Sequence, residues 1–150
     1  MTSNEEIVSR LPYAPPFLFV DHIDHIDEDG AKGSFYLDPE LDFYKGHLKD
    51  SPITPGVILI EIMAQIGLVC LGLFLMKETA DRETGPFFLV AAEIEFLKPV
   101  YPDDTVTVKS RKIYFRFGKL KCNVIMHNQR GDLVCEGSIS GMLKRENGNT

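Results

Sequence analysis

Apolar residues alternate with polar ones early in the chain. Leu18, Val20, Ile23 and Ile26 recur at near-even spacing, which predicts a strand over Phe17 to Ile26, entered through Pro12, Pro15 and Pro16 and preceded by a short helix. Asp27-Glu28-Asp29-Gly30 is turn chemistry, and Gly33 to Leu37 reads as a second strand completing a hairpin. The pattern lapses from Asp38 to Pro55, where Pro39, Gly46, Pro52 and Pro55 fall. Val57 to about Lys77 is then free of proline and apolar on nearly every side, which predicts one long buried helix. Thr54 suits an N-cap and Pro55 a first helical position, so the helix start is expected at 54–56. Residues 78–85 read as a polar loop. Four strands are expected after it, Phe87 to Phe96, Thr105 to Phe117, Lys119 to Asn128 and Leu133 to Met142. They are separated by Pro99 and Pro102 with Asp103-Asp104, by Gly118, and by Asn128-Gln129-Arg130-Gly131. Two strands, a buried helix and four strands on short connections predict an α+β fold, a largely antiparallel six-stranded sheet wrapped around one long central helix. Residues 146–150 are expected to fray.

Composition adds bounds. A chain of 150 residues, 44% hydrophobic and 25% charged, is expected to form a single domain whose core needs neither disulfides nor structural metal. Cys70, Cys122 and Cys135 are widely spaced and form no Cys-x-x-Cys pair, which argues against a disulfide framework and against zinc. Reduced thiols and a cytoplasmic location are the expectation. Met1 to Ile7 carries Glu5 and Glu6 and no apolar run, unlike a signal or transit peptide. The longest apolar run, Ile66 to Met76 counting Gly, has 11 residues, about half of the ~20 a bilayer needs, so no membrane span is expected. The net charge of −6 is unevenly placed: residues 97–130 hold eight Lys and Arg against Asp103 and Asp104, a net +6. Those basic residues alternate with apolar ones in an acidic chain, which speaks against nucleic acid and for a solvated strand face or a docking patch for an acidic partner.

Two polar residues interrupt the apolar helix. Glu61 and Gln65 are four apart and share a face, and a buried carboxylate is costly unless it is paired or neutralised. Glu61 therefore either caps or ion-pairs at an interface or does chemistry. His47, in the Gly- and Pro-rich loop before the helix, can reach the same cavity and tips the reading toward chemistry. His22 and His25 beside Asp21, Asp24 and Asp27, and His127 near a turn, read as surface or structural residues.

Gly46-His47-Leu48-Lys49-Asp50-Ser51-Pro52-Ile53-Thr54-Pro55-Gly56-Val57, followed by Glu61-Ile62-Met63-Ala64-Gln65, resembles the beta-hydroxyacyl-[acyl-carrier-protein] dehydratase family. The family motif runs Gly-His-Phe-Pro-Gly-x-Pro-x-Met-Pro-Gly-Val with a Glu fourteen residues after the His, a spacing this chain keeps. Leu11-Pro12 with Pro16-Phe17-Leu18-Phe19-Val20-Asp21, and Phe96-Leu97-Lys98-Pro99-Val100 with Pro102, are similar to two further family segments, so the resemblance covers roughly residues 11–143. It implies the hot-dog fold. Glu at 61, where the sister isomerising group has Asp, implies the dehydratase-only branch. The departures at Leu48, Lys49, Asp50 and Thr54 remove no catalytic group; they bear on loop rigidity and the pocket mouth.

Dehydration of a 3-hydroxyacyl thioester needs a base for a weakly acidic α proton and an acid for a poor leaving group, and the residue types fit. The resemblance implies His47 as base and Glu61 as acid, the latter kept protonated by its apolar surroundings. Backbone N–H groups of Gly56 and Val57, at the positive end of the helix, would polarise the thioester carbonyl, and Gln65 would hold the Glu61 carboxyl or serve a structural role. It further implies a homodimer, with a trimer of dimers as a larger form, in which His47 of one chain faces Glu61 of the other. An apolar tunnel would have Met63, Phe87, Phe88 and Leu89 as wall candidates. Lys98, Arg111, Lys112, Arg116, Lys119 and Lys121 would then receive the acidic acyl carrier protein and its phosphopantetheine arm, the only prosthetic group implied, with no metal. A hot-dog thioesterase and a non-catalytic acyl-binding or heterodimer subunit are the competing readings.

Overall fold

The computed structural model describes residues 3–47, 50–76 and 84–145. Helix α1 (Ser3–Ser9) precedes the strands β1 (His22–Ile26) and β2 (Ala31–Tyr36). A 3-10 turn, Asp42–Lys45, leads into the central helix, which consists of α2 (Gly56–Met63), a π-helical segment (Ala64–Val69) and α3 (Cys70–Leu75). Four longer strands follow: β3 (Thr84–Phe96), β4 (Thr105–Arg116), β5 (Lys119–His127) and β6 (Leu133–Arg145). They form one sheet in the order β1-β2-β4-β5-β6-β3, every neighbouring pair antiparallel. This is the α+β architecture expected from the element order.

Alternation explains why the sheet wraps. Val106, Val108 and Ser110 on β4, and Leu120, Cys122, Val124 and Met126 on β5, are buried on one face, while the residues between them point outward. The helix fills the concave side with Ile62, Met63, Ile66, Leu68 and Leu71, each essentially without solvent contact. Gly67 lets it come close. A Cβ there would lie 2.9 Å from Ser110 Cβ and 3.2 Å from Val124 Cγ1, so a side chain at this position would push helix and sheet apart.

Several expectations need correction. Phe17–Val20 is not strand, because Gln65 rather than a neighbouring strand takes the backbone groups of Phe17 and Phe19, and β1 begins only at His22. The helix starts inside the expected window, but with other cap chemistry: Pro55 is the N-cap, and the Thr54 hydroxyl pairs with the Tyr44 hydroxyl at 2.6 Å. Sequence periodicity gave no sign of the π-helical turn, in which the Cys70 N–H donates to the Gln65 carbonyl five residues back. The expected loop at 78–85 lies largely outside the described residues, although strand is already present at Thr84, and the expected tail at 146–150 lies wholly outside them. Measured as a helix, Gly56–Leu75 has 20 residues and a mean hydropathy of 2.4, long and apolar enough to cross a membrane, which the 11-residue count understated because it stopped at Gln65. Its burial against the sheet makes it a core helix.

Candidate active site

The loop carrying His47 is anchored at several points. The His47 N–H donates to the Phe43 carbonyl at 3.0 Å, the Thr54 N–H donates to the Val100 carbonyl at 2.8 Å, and the buried Tyr44 and Thr54 hydroxyls join. Thr54, one of the departures from the family motif, is thus a fastening point of the loop. The half-buried imidazole places Nδ1 2.9 Å from the Ile53 carbonyl oxygen. A carbonyl only accepts, so Nδ1 carries a proton, and in the neutral ring Nε2 is the nitrogen with the lone pair.

Glu61 lies one helical turn before Gln65. Gln65 is fully buried and uses its whole amide: Oε1 accepts from the Phe19 N–H at 2.8 Å, and Nε2 donates to the Phe17 carbonyl at 3.0 Å and to Glu61 Oε2 at 3.0 Å. Burial pushes the Glu61 carboxyl above its ordinary range, opposed by the Gln65 hydrogen bond. A neutral carboxyl in this place can donate a proton.

Tyr13 is the residue that sequence reasoning missed. Burial, and then the charge that Glu61 carries when ionised, push its hydroxyl up to about 12, so it stays a neutral O–H. Its ring stands 6.5 Å from that of Phe17, the residue held by Gln65. The signal was its position inside the Leu11-Pro12 to Pro16-Phe17 segment, where the motif leaves the residue free.

Gly56 and Val57 open the helix at Pro55, which offers no side-chain cap, and Ile58 and Leu59 are the next residues whose N–H groups reach the Pro55 carbonyl. The first N–H groups of a helix have no partner within it. A Cβ on Gly56 would lie 3.1 Å from the Phe96 ring, so a side chain there would make that half-exposed aromatic give way by a few tenths of an ångström. Within one chain, the described hydrogen bonds give His47 and Glu61 separate partners and no bond to each other.

The basic residues do not form one patch. Lys98 is 3.5 Å from Asp132, at the end of the sheet away from the β4–β5 hairpin tip. Arg116 faces Lys119, Tyr114 faces Lys121, and the Arg116 guanidinium lies 4.5 Å over the Tyr114 ring, so three of the six gather at that tip. Arg111 sits opposite Asn123, and the Lys112 N–H is bound to the Asp29 carbonyl. Of the wall candidates, Met63 and Phe87 are core, and Phe88 and Leu89 are exposed on β3. The three thiols are buried and free, pushed up to about 12 by burial, and therefore poor nucleophiles. Among the described residues no three His, Cys, Asp or Glu converge as metal ligands.

Known proteins resemble this chain in sequence and in fold. Residues 11–139 match the FabA-like domain model. The "3-hydroxyacyl-[acyl-carrier-protein] dehydratase FabZ" of Caldicellulosiruptor bescii is 33% identical over 147 residues, 96% of this chain and 100% of that protein. The protein of the same name from Rhizobium etli strain CIAT 652 is 36% identical over 94% of this chain and 88% of its own length. Among solved structures, the dehydratase heterocomplex ApeI:P from Xenorhabdus doucetiae has a TM-score of 0.79 at 10% identity, over 98% of this chain and 95% of that one, a likeness of fold. With a family model spanning most of its length and relatives above 30% identity end to end, the chain belongs to the FabA-like family.

Proposed function

We propose that this chain is a 3-hydroxyacyl-[acyl-carrier-protein] dehydratase, a lyase that converts (3R)-hydroxyacyl thioesters to trans-2-enoyl thioesters during fatty-acid or related acyl-chain synthesis. The observation that carries the reading is the His47 Nδ1 bond to the Ile53 carbonyl, which leaves Nε2 free to accept a proton. In the reaction Nε2 takes a C2 proton, and the thioester carbonyl gathers negative charge beneath the Gly56 and Val57 N–H groups. The C3–O bond then breaks as neutral Glu61 gives its proton to the departing hydroxyl, and water leaves. Proton return from His47 to the Glu61 carboxylate resets the site.

The working unit in this reading is a homodimer with His47 of one chain across from Glu61 of the partner subunit. What supports it is the sheet edge: β3 is a terminal strand of 13 residues whose Phe88, Leu89 and Val90 are all over 40% exposed, a ready surface for pairing. Acyl carrier protein is the partner, delivering substrate on its phosphopantetheine arm, and Arg116, Lys119 and Lys121 at the hairpin tip are the docking residues. The protein acts as one domain in the cytoplasm.

Intact-mass analysis of carrier-bound 3-hydroxyacyl substrates tests this. Loss of about 18 Da, one water, with the acyl group retained is expected, and His47→Ala and Glu61→Gln are each expected to cost on the order of 10²–10⁴ in rate. Disappearance of the acyl group would make the chain a thioesterase, and no change across chain lengths would make it a binding subunit.

A further inference from the structure

The outer face of the sheet carries an ordered charge pattern that dehydration does not use. Strand register places His25 opposite Lys32, Lys32 opposite Lys109, Lys109 opposite Ile125, Ile125 opposite Glu136, and Glu136 opposite Glu95. One transverse row therefore reads His-Lys-Lys-Ile-Glu-Glu from β1 to β3. A neighbouring row repeats the polarity, with Arg111, Asn123, Ser138 and Glu93 side by side. Lys32, Lys109, Glu95 and Glu136 are all exposed, and none belongs to a described ion pair. Two shallow depressions adjoin on this face, one lined by Lys32, Lys109 and His127 and the other by Glu93, Glu95 and Glu136, with Ile125 lining both.

Like charges directly opposite one another destabilise a sheet, and this row contains two such pairs, Lys32 with Lys109 and Glu95 with Glu136. Alternating the signs within the row would relieve both pairs inside one chain. The segregated order instead suits a partner with the opposite order, and this chain has it when turned over. A two-fold axis along β5 keeps each row at its height and reverses the strands, so that Lys109 meets Glu136, Lys32 meets Glu95, and Ile125 meets Ile125. That is the self-complementarity an isologous interface requires. Sheets packed face to face lie ~10 Å apart and within about 30° of parallel, which Lys and Glu side chains can bridge.

We propose that the outer sheet face is a self-association surface on which a second copy of this chain seats, β5 over β5, joined by reciprocal Lys32–Glu95 and Lys109–Glu136 pairs around Ile125. This surface is the outer face of the sheet, to which β3 contributes Glu95, and not the backbone edge of β3. A chain with two different two-fold interfaces assembles beyond a dimer, and closes into a dihedral complex where the two axes intersect.

Sedimentation of the full chain at low salt tests the proposal, using wild type, Glu95→Lys with Glu136→Lys, Lys32→Glu with Lys109→Glu, and an equimolar mixture of the two double variants. The wild type is expected to exceed each double variant in mass by roughly two-fold or more, and the mixture to recover the larger species. Recovery also proves that both variants fold. Equal masses for wild type and both variants, or a mixture that stays small, would overturn the proposal. It would also be overturned if Lys32→Glu with Lys109→Glu raised KM for carrier-bound substrate at unchanged mass, since the basic half would then serve the carrier. Absence of dehydration in the wild type itself would count against the proposed function and leave the mass comparison untouched, so failure of that reading registers separately from failure of this one.

Discussion

Gln65 Nε2 lies 3.0 Å from Glu61 Oε2, and the same amide grips the backbone of Phe17 and Phe19, so the carboxyl is oriented by a group that is itself immobilised by the segment beside the helix. Orientation of an acid at a buried site depends on this kind of supporting bond.

Gln65→Leu is expected to do two things at once. It strands the Phe19 N–H and the Phe17 carbonyl, each costing about 1–3 kcal/mol, and it releases the Glu61 carboxyl. Thermal unfolding should shift down, and kcat measured well below the unfolding temperature should fall with little change in KM. A variant that melts earlier but turns over normally would leave Gln65 with a purely structural role.

Glu61 makes stability depend on pH in a definite direction. Its carboxyl is raised in the folded state, chiefly by desolvation, so the proton is held more tightly folded than unfolded. That contribution is complete below the unfolded carboxyl value and is lost as pH rises through the raised folded value. Glu61→Gln carries no such charge. The variant should gain stability relative to wild type as pH climbs across that window, and unfolding curves at a series of pH values would show a constant gap if burial of Glu61 had no such effect.

Gly67→Ala probes the seat of the helix on the sheet. The new methyl group would meet Ser110 Cβ at 2.9 Å, an overpacking expected to cost about 1–3 kcal/mol. Gly46→Ala is the control, since nothing lies within 4 Å of its Cβ position and its backbone φ of −119° suits alanine. Chemical denaturation of the two variants should separate them clearly. Similar midpoints would mean that helix and sheet can move apart freely.

The β3 edge can be tested by charge. Phe88→Lys with Leu89→Lys alters two exposed side chains on a terminal strand and should leave the protomer folded while weakening the dimer. Specific activity should then fall steeply on dilution, in parallel with mass. Activity independent of concentration in a monomeric variant would show that one chain holds a complete site.

The longer strands were legible because their alternation is strict: Val106, Val108 and Ser110 inward, Thr107 and Lys109 outward. The same signal misled at Phe17–Val20, where Leu18 and Val20 alternate but the ladder partner is a glutamine amide 46 residues away in sequence. The basic stretch of 97–130 looked continuous along the chain. Strand register scattered it, sending Lys98 to Asp132, three residues to the hairpin tip, and Lys109 into a row with the glutamates.

By itself the sequence determined the fold class and the window in which the central helix starts, and it singled out His47 and Glu61 as candidates for the chemistry. Periodicity, proline placement and motif spacing are properties of neighbouring residues and survive in one dimension. Only the tertiary structure decided the His47 tautomer through the Ile53 carbonyl, the use of all three Gln65 bonds, the approach of Tyr13 to Glu61, and the sorting of charge across the outer sheet. Those depend on which distant groups packing brings within hydrogen-bond reach and on strand register. A shift of one residue would turn every outward side chain inward.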